Sequence, residues 1–179
     1  SSRAYNISIG LDYAGINIFI AGCLFPALYY GMYCYFNVAY FYMTIIMLIG
    51  TTLFVLSLTE CSKTLAILLK SVCYGGFAFF LTIPITHLVV NEIFFHDSGD
   101  EFSFLPSLHW YILGAISDLL GLIVFTKRCP DRNNPGKYDV CGHSHQIWHT
   151  LILLGMFFLY FGACTNYQTR MENSCPASF

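Results

Sequence analysis

The amino-acid sequence predicts an all-α, polytopic transmembrane helix bundle with about five membrane spans. Three observations carry that prediction. Hydrophobic residues make up 56% of the 179 positions and charged residues only 10%, with a mean hydropathy of +0.61, whereas a water-facing surface needs nearer a quarter charged. The apolar residues fall into separate runs of about 20, the helix length that crosses a ~30 Å hydrocarbon core. Finally, 17 Phe and 13 Tyr suit a protein that lines two apolar–water interfaces.

The runs can be taken in order. The first extends from about residue 11 to 33, with Pro26 as an expected kink. The second, 39–58, carries no formal charge, and neither does the third, 71–90, which holds Pro84 and His87 near its end. The fourth, 104–126, contains Asp118, and the fifth runs from 145 to 167. None shows the period-two alternation of a membrane barrel strand, so helices are the remaining spanning solution. The whole chain, 1–179, reads as a single transmembrane domain.

Charge assigns the sides. With these spans Arg3, Lys63, Lys70, Lys127, Arg128, Arg132 and Lys137 share one face, and Arg170 alone lies on the other. By the positive-inside rule the seven are cytosolic, which places the amino end in the cytosol and the carboxyl end opposite. The stretch 91–102, with Glu92, Asp97, Asp100 and Glu101 and no Lys or Arg, fits the opposite face. Asn6-Ile7-Ser8 matches a glycosylation acceptor but is expected to stay unmodified on the cytosolic side. The formal net charge of −2 gives no reason to expect a nucleic-acid partner. Membrane lipid is the expected surrounding. The chain opens on Ser1 with no signal peptide ahead of its first apolar run, and is expected to be a piece of a longer protein.

Eight cysteines show neither zinc-site spacing nor a compact secreted framework. They are read as small buried hydrophobes (Cys23, Cys73, Cys164) and loop thiols (Cys34, Cys61, Cys129, Cys141, Cys175).

The candidate chemistry gathers at the cytosolic ends of two spans. His145 and His149 are four apart at the start of the fifth, so a helix puts both imidazoles on one face. On spacing alone the pair can share a metal ion or serve as hydrogen-bonded packing residues. The run His-Gln-Ile-Trp-His lacks the Glu of the zinc-protease helix, so a general base must come from elsewhere. Asp12 opens the first span and reads, alone, as an acid satisfying the helix dipole. Topology adds a second reading. The first and fifth spans both run outward from the cytosol, so Asp12 starts at the same depth as the histidine pair and can ligate a metal or hold a water beside it. Asp118 is the one formal charge well inside a span, roughly 12 Å from its cytosolic end at ~1.5 Å per residue, and is a further candidate for the same cavity. His87 and His109 are read as structural, His143 as a loop residue and decoy ligand, and His96 has no assigned role.

Leu11-Asp12-Tyr13-Ala14-Gly15-Ile16, Pro84-Ile85-Thr86-His87, Pro130-Asp131-Arg132 with Pro135-Gly136-Lys137, and Ser144-His145-Gln146-Ile147-Trp148-His149 occur in the order and spacing of the progestin and adipoQ receptor family, which includes the adiponectin receptors and haemolysin III-like proteins. The chain resembles that family over essentially its whole length. The resemblance implies seven spans, of which about five are present here, and a zinc ion near the cytosolic face. His145 and His149 would be two of its ligands and Asp12 would hold a water at the metal. A third histidine ligand, in a Ser-x-x-x-His motif of the family's second span, has no counterpart in these residues. Asp131 stands where the family has Glu, a departure with no expected bearing on the metal.

The resemblance further implies a receptor with zinc-dependent lipid amidase activity of the ceramidase kind. The other readings are a non-enzymatic receptor or scaffold with a structural zinc site, answering to a lipid or protein ligand, and a channel or transporter, which the absence of paired broken-helix repeats disfavours.

Overall fold

The computed structural model describes residues 2–58, 82–91, 93–94, 104–133, 135–138 and 140–173. Lys63, Lys70, the larger part of the third expected span, His96 with most of the acidic stretch around it, and Cys61, Cys73 and Cys175 lie outside the described residues. Five helical stretches order the rest: α1 (Ser2–Gly31), α2 (Phe36–Leu58), α3 (82–91), α4 (Leu105–Lys127) and α5 (Ser144–Glu172). Among the described residues four helices, α1, α2, α4 and α5, are long and apolar enough to cross a membrane.

The ends differ from the hydropathy runs where hydropathy has no say. α1 starts at Ser2 rather than near Leu11, because polar residues outside the bilayer can be helical too, and Asn6 falls within it. α5 continues past Tyr167 to Glu172, its final turn bearing Arg170 toward the negative end of the helix dipole. α4 admits Pro106 because the first turn's N–H groups have no intrahelical partner. It closes on Arg128, a non-glycine residue in the left-handed region (φ 50°), whose N–H bonds the Phe125 carbonyl while that of Cys129 bonds Val124.

Only 22–33% of each span's apolar window is buried inside the protein. Outward positions such as Leu120, Ile123 and Phe157 are about half exposed, an apolar surface that lipid covers without cost. Inside, close helix approach supplies what water exclusion cannot. α4 presents Gly114, Ser117 and Gly121 to α5, which answers with Gly155 and Gly162. Hydroxyls at this depth find carbonyls: the Ser117 hydroxyl donates across the interface to the Leu151 carbonyl (2.8 Å), and Thr44, Thr51 and Thr165 donate to the carbonyl four residues back.

The pairings fix direction. Gly121 meets Trp148, Gly114 meets Gly155 and Leu159, and Tyr111 meets Gly162, so α4 and α5 are antiparallel. α1 and α5 are parallel, since Asp12 reaches His145 and His149 at one end while Tyr30 packs on Tyr167 and Gly31 abuts Asn166 at the other. The far end is pinned by polar contacts: Asn166, 1% exposed, donates to the Tyr111 hydroxyl (2.9 Å), and the Arg170 guanidinium lies 3.8 Å over the Tyr33 ring. Tyr42 of α2 and His87 of α3 hydrogen-bond at 3.1 Å, the structural role expected for that histidine. Between these layers Leu24, Leu28, Ile46, Leu88, Phe104 and Tyr111 line an apolar hollow of about 20 Å³, room enough for a water but without the polar partners one needs.

Cys34, read as a loop thiol, is disulfide-bonded, whereas Cys23, Cys129, Cys141 and Cys164 are free. The spacing of cysteines along the chain could not reveal that bond, because pairing depends on which ends the bundle brings together.

Candidate metal centre

The parallel run of α1 and α5 brings three side chains of the predicted set together. His145 Nε2 lies 3.0 Å from Asp12 Oδ2, and His149 Nε2 lies 3.1 Å from Asp12 Oδ1. One ligand atom from each of Asp12, His145 and His149 falls within 4.8 Å of the others. The two imidazoles stack at 4.7 Å with planes 18° apart, the face-sharing expected of residues one helical turn apart. Two imidazole nitrogens and a carboxylate oxygen are the donor types that zinc takes, so these residues fit the ion. Each side chain remains about a third exposed (32–37%), leaving one side of the cluster open to a further donor or a substrate.

Asp12 lies well inside α1, about three turns from its first residue. The helix-dipole reading therefore falls away, since that effect fades within the first turn. Aromatic side chains wall the cluster: Trp148 packs on Phe125 at 4.6 Å and on Tyr13 at 6.4 Å, and Phe125 sits edge-on to His145 at 5.5 Å.

The first turn of α5, which carries His145, is held from the preceding loop by several bonds. His143 is the N-cap, its Nδ1 accepting from the Gln146 N–H at 3.3 Å; it takes no part in the cluster. The Gln146 side chain accepts from Gly142 N–H (2.7 Å) and donates to the Val140 carbonyl (3.3 Å). Asp131, in the short 3₁₀ turn Asp131–Asn133, accepts the Ser144 N–H on both carboxylate oxygens (3.0 Å each) and the Ser144 hydroxyl on Oδ2 (2.5 Å). The Ser144 hydroxyl, with smaller help from its N–H and from His143, holds the Asp131 carboxyl below the ordinary carboxylate range against an opposing desolvation.

Asp118 does not join the cluster. It packs against Gly155, where a Cβ would collide with it, and its Oδ1 is buried with no hydrogen-bond partner among the described residues. His109 stays at the surface beside Trp110. Sequence reasoning missed Tyr111, Asn166 and the Asp131–Ser144 clamp. Only Ser144 and Asp131 carried a signal, each as a member of a motif block, and neither block pointed to the bond between them.

A helical bundle with two imidazoles and a carboxylate converging at one face defines a multi-pass membrane protein with a candidate metal site. Comparison with known families makes that specific: the profile of the haemolysin-III related family matches residues 1–160, and the chain belongs to that family. Among its relatives are the "Adiponectin receptor protein" of Drosophila melanogaster (33% identical over 153 residues, 85% of this chain and 33% of that protein) and "Progestin and adipoQ receptor-like protein 1" of Caenorhabditis elegans (30% over 177 residues, 98% and 40%). "Heptahelical transmembrane protein 4" of Arabidopsis thaliana is 32% identical over 176 residues, 98% of this chain and 44% of that protein. The chain thus spans between a third and a half of the length of these relatives.

Proposed function

We propose that His145 and His149 ligate a zinc ion, with Asp12 beside it to hold a water, at the cytosolic face of a receptor-type membrane protein, and that the full-length protein hydrolyses a lipid amide in the manner of a ceramidase. The observation that carries the reading is the convergence of one carboxylate and two imidazoles, from helices separated by more than a hundred residues, within 4.8 Å. Orientation rests on the charge asymmetry: the loop carrying Lys127, Arg128, Arg132 and Lys137 lies at the same face as the cluster, through the Asp131–Ser144 bonds. Bound zinc supplies Lewis-acid polarisation of a carbonyl and a lowered pKa for water.

The chain's own residues supply the rest. Each imidazole presents Nε2 to the shared centre, and the Asp12 carboxylate, with an oxygen toward each, is placed to orient a water or take its proton. The lipid's acyl chain would lie along the apolar interior beyond the cluster, and the aromatic wall of Phe125 and Trp148 limits water at its back. The resemblance supplies the remaining protein ligand from a Ser-x-x-x-His segment.

The names of the relatives favour a second reading, in which the same ion ties α1 to α5 in a signalling receptor that hydrolyses nothing. Purified full-length protein, assayed for fatty acid release from a ceramide before and after chelation, separates the two. Loss of hydrolysis on chelation and in Asp12→Ala, with folding intact, supports the enzyme. Hydrolysis that survives both removes it.

A further inference from the structure

A dication held by His145 and His149 lies against the opening turns of α5, the end at which unpaired N–H groups and the helix dipole are positive. That end repels a cation unless an anion offsets it. Asp12 faces the imidazoles, but the anion bonded to the helix end itself is Asp131, thirteen residues upstream and on a different element. It takes both polar hydrogens of Ser144, the residue before His145, through contacts of 3.0, 3.0 and 2.5 Å.

The tie is anchored on both sides. The turn carrying Asp131 follows α4 directly, its Arg132 N–H bonding the Arg128 carbonyl at 2.8 Å, so the carboxylate links the end of one span to the start of another. His143 and Gln146 already hold the Gln146 and Gly142 N–H groups. Asp131 completes that set at the position nearest the ligand.

We propose that Asp131 is a positioning residue for the metal: its charge offsets the positive end of α5, and its bonds to Ser144 fix the turn that aims His145. The inference rests on the metal reading of Asp12, His145 and His149, and it keeps the expectation that Asp in place of the family's Glu has no bearing on the metal, since either side chain carries the charge. Outer groups that orient a ligand typically affect metal affinity by about 10–100-fold.

The test is cobalt(II) titration of the full-length protein in nanodiscs, followed by the visible absorption band, beside the melting temperature of the metal-free protein. Asp131→Asn keeps the size and removes the charge, and is expected to weaken cobalt binding about tenfold. Ser144→Pro deletes both donors at the first helical position, where proline is well tolerated and where His143 already has the extended backbone (ψ 159°) that precedes proline. It is expected to weaken binding about as much and, should Asp131→Asn not fold, carries the test alone. Asp131→Glu restores the charge and is expected to bind within about threefold of the unaltered protein. A purely structural cap would lower the metal-free melting temperature and leave affinity unchanged; that result, or wild-type affinity in both weakened variants, overturns the proposal. If the unaltered protein binds no cobalt, the metal reading itself fails and the inference with it.

Discussion

Replacing Gly162 with alanine tests the packing that sets α4 against α5. A Cβ there would stand 2.9 Å from Tyr111 Cζ and 3.0 Å from Cε2, inside any real carbon–carbon contact. The ring cannot swing clear: it is 4% exposed, stacked on Phe104 at 5.3 Å, and fixed by the Asn166 amide at 2.9 Å. Overpacking of this kind costs about 2 kcal/mol, while alanine in a helix interior recovers about 1 kcal/mol of propensity over glycine. The expected net loss is about 1 kcal/mol. In a Tyr111→Ala background the obstacle is gone and only the propensity gain remains, so the same substitution should stabilise by about 1 kcal/mol. The coupling of about 2 kcal/mol lies within the range for residues in contact. Unfolding of the four proteins in detergent micelles, followed by circular dichroism, measures it. A Gly162→Ala effect equal in both backgrounds to within about 0.5 kcal/mol would refute the reasoning.

Two further outcomes follow from the geometry of the acids. Asp118→Asn, which faces Gly155 and not the cluster, should leave cobalt affinity within about twofold, since residues without shared partners act independently; a tenfold loss would place Asp118 in the metal site. The Asp131 carboxyl, held low by Ser144, contributes stability that is fully present above the unfolded carboxylate pKa and lost as pH falls through the lower folded value. The melting temperatures of the unaltered protein and of Asp131→Ala should therefore differ at pH 6 and converge in acid below the ordinary carboxylate range, whereas a gap constant down to the most acid point would contradict the assignment.

The architecture was legible because a bilayer imposes its own length on the sequence: apolar runs near 20 residues mark spans regardless of what they pack against. Helix ends outside the bilayer carry no such mark, which is why α1 reaches back to Ser2 and α5 on to Glu172. His145 and His149 were visible as a pair because both lie on one helix with a fixed repeat. Asp12 needed topology as well, since only an even number of crossings between the start of the first span and the start of the fifth returns the chain to the same face. Asp118 stood out as an intramembrane charge, but its neighbour depends on how α4 is rotated, and that rotation is set by glycines on α5 whose role is invisible until the helices meet. The Asp131–Ser144 clamp and the Tyr111–Asn166 bond join different elements with no periodic spacing.

The most direct measurement is zinc content and the identity of the atoms bound to it in the purified full-length protein, by elemental analysis and X-ray absorption. The account predicts about one zinc per chain, bound through nitrogen and oxygen at ~2.0–2.2 Å with imidazole scattering, and loss of that zinc in His149→Ala. A protein without zinc, or one whose zinc and absorption spectrum are unchanged in His149→Ala, would contradict it.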